Sequence, residues 1–337
     1  MSHVADRVPL SVGVLLDRAR QERWVLGALR RVVALSCVRL AAVAIANGAT
    51  RASSPAGALH VAVDSVDRAL RCRGEPRFAR VDVVAELAPP RSIVVSALRS
   101  ADGWTVTTGD AAFLAGCGVD VWLCFTALRP CRPFPRVSRF GVWGLEIGVD
   151  TPAVDRWAGA SEVATASPLT ETALVDYRES TRTAISRTIG ATIGNSARSN
   201  RLSSVCKALP ICARALRALS RSGAVASALS GSATASRPGL PTPTSGAVLS
   251  LAGRIVGAVA ANRWRALRWR DQWQIGYCFP DRDDRRLLAS ERLRYLVPPP
   301  DRFWADPFAL EHDGRYFIFF EELVFRTGLG RITAIEV

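Results

Sequence analysis

Residues 301–322 read DRFWADPFALEHDGRYFIFFEE. An acid flanked by aromatics, Trp304-Ala305-Asp306-Pro307-Phe308, leads to a His312-Asp313-Gly314 turn, and residues 315–320 then alternate up to the paired acids Glu321 and Glu322. Strand, Asp-Gly turn and strand predict a hairpin. Phe308 and Leu310 on one arm and Tyr316, Ile318 and Phe320 on the other keep period two, so one face of each arm is expected to be buried. Outward from the hairpin, residues 272–279 read as a strand, 296–300 (LVPPP) as an extended approach and 331–337 (RITAIEV) as a third strand of the sheet.

The 337 residues suit two domains, and 49% hydrophobic with 22% charged residues describe a globular chain. Basic residues number 44 against 30 acidic, for a net charge of +14, and Lys207 is the only lysine. Residues 180–270 hold no acid and 14 basic residues, which is the whole excess. Such a segment suits an anionic surface, whether lipid headgroups, nucleic acid or a phosphorylated substrate; it equally suits a solvated connector. Nothing in it specifies sequence-specific nucleic-acid binding. The eight cysteines form no Cys-x-x-Cys pair and the histidines are His3, His60 and His312, so no metal site is expected. Reduced thiols, no basic-plus-apolar leader and no apolar run long enough to cross a bilayer point to a cytoplasmic protein, peripheral at most to the inner membrane.

In chain order, residues 9–16 (PLSVGVLL) read as a buried strand ending at Asp17, residues 20–36 as a helix, and 39–47 (RLAAVAIAN) as a second strand. That is the unit of a helix-covered parallel sheet, without the Gly-x-Gly-x-x-Gly of a dinucleotide site. Residues 50–60 read as a loop, 63–73 as a helix, 80–87 as a strand, 118–126 (GVDVWLCFT) as an interior strand, 128–139 as a loop with a short helix, and 140–147 (FGVWGLEI) as another strand. A basic helix pair broken at Pro210 is expected over 195–221, a low-complexity linker over 223–246, and over 247–273 a helix whose end mixes Trp264, Trp269 and Trp273 with arginines.

Two resemblances follow from these stretches. FWADPF and DGRYFIFFEE resemble the first blade of five-bladed carbohydrate-active propellers, most closely the propeller-like region of glucosamine inositolphosphorylceramide transferases. The resemblance implies that Asp306 faces a sugar as base or ligand, with Trp304, Phe308, Glu321 and Glu322 around the substrate. The strand ending at Asp17, VDVWLCF, RFGVWGLEIG and the stretch 168–174 resemble the formyltransferases that use a folate one-carbon donor. In that family the slot of Gly144-Leu145-Glu146 carries Asn-x-His. Its replacement leaves Glu146 as the candidate base, with Asp150, Asp155 and Asp176 nearby, and makes a folate donor relevant only if that site is active.

The expected architecture is therefore α/β: a formyltransferase-like, Rossmann-like parallel-sheet domain over 8–220, a linker and helix over 221–262, and an incomplete propeller-like β domain over 263–337. The expected role is in glycan or glycolipid biosynthesis, with a sugar or glycolipid substrate and a transferase-like chain that is catalytically incomplete. An active one-carbon or acyl transferase to an amino sugar and a non-enzymatic membrane-surface adaptor are the alternatives.

Overall fold

The computed structural model describes residues 8–49, 55–71, 74–100, 102–148, 151–178, 180, 183–225, 244–268, 272–279 and 294–337. The chain divides into two compact units, Met1–Val259 and Ala260–Val337. Cys72, Asp150, Arg182, Arg237, Trp269, Arg270 and most of the expected linker lie outside the described residues.

Unit 1 opens with β1 (Leu10–Leu16), a short β2 (Arg20–Glu22), α1 (Arg23–Val33) and β3 (Val38–Asn47), then α2 (Pro55–Arg71), β4 (Arg80–Asp82) and α3 (Val83–Leu87). Next come β5 (Ser92–Ser100), β6 (Gly103–Val106), α4 (Thr108–Ala115), β7 (Val121–Phe125) and β8 (Val142–Ile147). The unit continues with α5 (Ala160–Ala164), β9 (Leu169–Asp176), β10 (Thr183–Ala191), α6 (Ala197–Ala208), α7 (Ile211–Ser222) and most of α8 (Ser245–Arg268). Eight strands form one sheet in the order β10-β9-β8-β7-β1-β3-β5-β6. The five inner strands β8, β7, β1, β3 and β5 run parallel, while β9, β10 and β6 pair antiparallel at the flanks.

Parallel strands are covered on both faces, and for that reason VWLCF and VWGLEI are buried at every position. One face packs Val12, Val14, Leu123 and Leu145 against Trp24 and Leu29 of α1 and Leu216 of α7. The other packs Leu15, Ala44 and Cys124 under Trp104, Trp122, Phe134 and Tyr177. Space for these rings comes from missing side chains. A Cβ on Gly13 would lie 2.4 Å from Cε3 of Trp122.

Several local expectations are corrected. A helix occupies 55–60 where a loop was expected. Residues 80–87 are a three-residue strand followed by α3, because the Asp82 side chain accepts from the amide of Ala85 and starts a helix. No helix forms over 128–139, where Pro130, Pro133 and Pro135 each remove a donor. The segment Ser245–Arg265 of α8, with mean hydropathy 1.3, is long and apolar enough to cross a membrane by length and composition. The sequence reading missed this because Arg254 interrupts the run and alanines and glycines carry much of it.

Unit 2 holds a pair, β11 (Ile275–Tyr277) and β12 (Arg294–Leu296), and a three-stranded antiparallel sheet of β13 (Arg302–His312), β14 (Arg315–Val324) and β15 (Leu329–Glu336). The hairpin forms as read, with Asp313 and Gly314 at φ 52° and 74°, the two left-handed residues of a tight β-turn. The burial expectation for its first arm is overturned. Ala305 pairs with Glu321 but Phe308 pairs with Phe319, so Asp306, at φ 49°, and Pro307 form a bulge that switches faces. Trp304 is buried with Ile318 and Phe320, whereas Phe308 and Leu310 are 64% and 44% exposed. The second arm also runs through Glu321 and Glu322 to Val324 instead of stopping at them.

Gly13→Ala is expected to destabilise unit 1 by about 1–3 kcal/mol in urea unfolding, since the Trp122 ring sits where the methyl would go. A cost below the error of the measurement would mean that this layer is loosely packed.

Candidate functional site

In an open parallel sheet, ligands bind beyond the carboxyl ends of adjacent strands whose connections leave in opposite directions. Here those strands are β1 and β7. They are neighbours, and β1 continues to β3 on one side while β7 continues to β8 on the other. Asp17 follows β1 directly; it is buried, and its carboxylate accepts from Gln21 Nε2 at 2.6 Å and from Arg18 Nη2 at 3.2 Å. Glu22 accepts from both terminal nitrogens of Arg201, at 3.0 and 2.7 Å, and from Trp24 Nε1 at 2.7 Å. The Arg201 guanidinium also donates to the carbonyl of Ala153.

Arg80 reaches this edge because β4 pairs with β2, setting Arg80 opposite Glu22. Its pKa is lowered, first by partial burial and then by the charges of Arg18 and Arg156, with Glu22 and Asp17 opposing. Arg18, Arg80 and Arg156 are exposed, and Arg80 feels the charges of both other arginines and of both carboxylates. A further anion there would relieve repulsion among the three. Sequence reading noted Asp17 but none of these arginines. The one available signal was that Arg18 and Arg80 lie close to expected strand ends.

Glu146 lies deeper. It is fully buried, and its Oε1 accepts from Arg132 Nη2 at 2.7 Å and from the Tyr177 hydroxyl at 2.8 Å. The Arg132 guanidinium lies 4.8 Å over the Tyr177 ring. Burial and the Glu146 charge push the Tyr177 phenol well above its usual pKa. Gly144 makes the arrangement fit, because a Cβ there would be 2.8 Å from Tyr177 Cε2. Of the nearby aspartates, Asp155 accepts from the Trp157 amide and Asp176 holds Arg178. The buried Cys124 thiol, pushed up to about 12 by desolvation, is a poor nucleophile at neutral pH.

In unit 2 the five expected residues do not form one set. Trp304 and Glu322 are buried on one face, Asp306 is exposed at the bulge, and Phe308 and Glu321 belong to the opposite face. Glu322 accepts from Arg302 Nη1 (3.0 Å), Trp304 Nε1 (3.2 Å) and Arg331 Nε (2.6 Å). Burial pushes its pKa up, but these hydrogen bonds and the Arg331 charge outweigh burial and hold it at about 2. It is a structural anchor between three strands.

Comparison with known proteins gives little more. No known family and no curated protein matches the sequence. Among solved structures, the sugar 3N-formyl transferase WlaRD, crystallised with dTDP and 5-N-formyl-THF, aligns at 8% identity and a TM-score of 0.41, covering 97% of this chain and 98% of that one. The N-formyltransferase from Helicobacter canadensis, in complex with folinic acid and dTDP-3-aminofucose, aligns at 8% identity and a TM-score of 0.40, covering 97% and 100%. Scores this low carry no argument about fold or chemistry.

Arg132→Met removes the cation that donates to the buried Glu146 carboxylate and is expected to cost about 3–5 kcal/mol in urea unfolding. Tyr177→Phe removes one hydrogen bond to that carboxylate and should cost about 1.5–3 kcal/mol. Equal, small effects would show that the network is solvated.

The Glu322 pKa is depressed from its ordinary 4.5 to about 2, so its contribution to unit 2 is complete above the unfolded value and lost as pH falls through the folded one. Amide-exchange protection of β14 should therefore drop between about pH 4.5 and 2 in the native chain. Glu322→Gln should flatten that dependence; an identical profile in the variant would assign it to other groups.

Proposed function

We propose that the protein belongs to glycan or glycolipid biosynthesis, as a transferase-like chain whose unit 1 is formyltransferase-like and holds a phosphorylated sugar at the carboxyl edge of its sheet. The observation that carries the reading is the buried Asp17 with its Arg18 partner directly after β1, beside the β1–β7 switch point, together with Arg80, which is paired across from Glu22 and feels the charges of Arg18 and Arg156. Guanidinium groups pair with phosphate oxygens in a fork geometry, and a carboxylate accepts sugar hydroxyls. The chain is proposed to work in the cytoplasm, or peripherally at the inner membrane.

Transfer of a one-carbon unit from folate to an amine needs a group that takes the amine proton and faces the donor. Glu146 is committed to Arg132 and Tyr177 inside the protein, which supports the reading that the chain does not run this chemistry through Glu146. The likeness of β13–β15 to a first propeller blade remains part of the proposal. Its support is a hairpin of the right pattern and a sheet with apolar residues on both faces, Ile318 and Phe320 against Phe308 and Leu310.

Calorimetric titration with a thymidine-diphosphate amino sugar tests the site. Binding to the native protein is expected, with Arg80→Ala and Arg156→Ala each weakening it about tenfold, or ~1.4 kcal/mol, and with the sugar lacking its diphosphate failing to bind. Equal affinity in native and variant proteins would remove the site. Adding a folate one-carbon donor tests the chemistry: formylated product that disappears in Glu146→Gln while binding persists would overturn the incomplete-enzyme reading.

A further inference from the structure

The 14 basic residues of the acid-free stretch 180–270 do not act alike. Arg198 and Arg201 are 7% and 4% exposed and spent inside unit 1, on Asp64 and Glu22. Exposed basic residues lie on α7, at Arg214, Arg217 and Arg221, and on α8, where Arg254, Arg263, Arg265 and Arg268 are exposed. No acid occurs on that helix.

The helix has two apolar faces. Val248, Leu251 and Ile255 are buried against Trp157, Ala160 and Val163. The opposite stripe runs Leu249, Gly253, Val256, Ala260, Trp264 and Leu267, in steps of three and four that keep one side of a helix. Leu249, Val256, Trp264 and Leu267 are 60%, 62%, 55% and 85% exposed. Arginines flank this stripe, and the Arg268 guanidinium lies 5.0 Å over the Trp264 ring.

We infer that the outer stripe of α8 lies in the surface of an anionic phospholipid bilayer. Exposed Leu, Val and Trp flanked by arginines are what an interfacial helix needs: apolar side chains enter the acyl boundary and guanidinium groups stay at the phosphates. Charge complementarity selects the bilayer over an apolar protein surface. Ser245–Arg265 is long and apolar enough to span, but Val248, Leu251 and Ile255 in its first turns are already packed on protein, and Arg254 at mid-helix would enter hydrocarbon. The helix therefore lies on the membrane.

Flotation of the full chain with phosphatidylcholine vesicles, with and without phosphatidylglycerol, tests this. At low salt the protein should float with the anionic vesicles and at least about tenfold less with neutral ones, and high salt should release it. Paired Val256→Glu and Leu267→Glu should cut flotation at least about tenfold with unchanged circular dichroism, since both side chains are already exposed. Paired Arg263→Glu and Arg265→Glu should do the same. Recovery in the soluble fraction with anionic vesicles, or flotation indifferent to these variants, overturns the inference. So does a native dimer in light scattering that Leu267→Glu turns into monomer without any vesicle binding, which would make the stripe an interface between copies. Sugar-nucleotide titration is independent of all these outcomes.

Discussion

Unit 1 depends on Arg201. A guanidinium that is 4% exposed must have its charge answered locally, and here both carboxylate oxygens of Glu22 and the carbonyl of Ala153 answer it. Those groups come from the start of α1, from the turn after β8 and from α6. One side chain thus fastens three segments far apart in sequence. Phe78 stacks beneath both Arg201 and Arg198, and Asp67 accepts from the Arg198 amide at the start of α6. Breaking such a pair leaves an uncompensated charge in the interior, so α6 can hardly leave the sheet without unit 1 unfolding.

The same constraint shapes the carboxyl edge. Glu22 is committed to Arg201 and Asp17 to Arg18, so Arg80, opposite Glu22 on the neighbouring strand, adds a cation to the edge. A compositional asymmetry in the chain thereby becomes a local one: acids from the first 70 residues anchor the basic second half, and the arginines they do not neutralise mark the surfaces open to anions. Glu146 shows the converse. A carboxylate at a strand end is turned inward because Gly144 lets Tyr177 lie across the strand.

The sequence made the centre of unit 1 legible because buried parallel strands are continuous apolar runs. β1, β3, β7 and β8 fall within a few residues of their expected places, and Pro210 divides α6 from α7 as read. The region of β5, β6 and α4 went unread, since its strands expose residues such as Val94 and Leu98 and its helix has little apolar periodicity. Partners such as Arg201 and Glu22, 179 residues apart, leave no mark that one sequence can show. The candidate site was legible only at Asp17.

Unit 2 fails the period-two reading for a physical reason that also explains its surface. Pro307 has no amide hydrogen to give the ladder, and the extra residue it forces into β13 turns Phe308 and Leu310 away from the core that Trp304 has just joined. The bulge therefore distributes aromatics to both faces: Trp304 and Phe320 inward, Phe308 outward beside Phe319. A three-stranded sheet has little core of its own, and here part of that core is given to the ionised Glu322. That burial holds because Arg302, Arg331 and Trp304 reach the carboxylate from the two flanking strands. Charge pairing therefore does in unit 2 what the Arg201–Glu22 pair does in unit 1: it fixes the register of β14 against both neighbours, and it carries the strand past the two acids that, read alone, looked like its end.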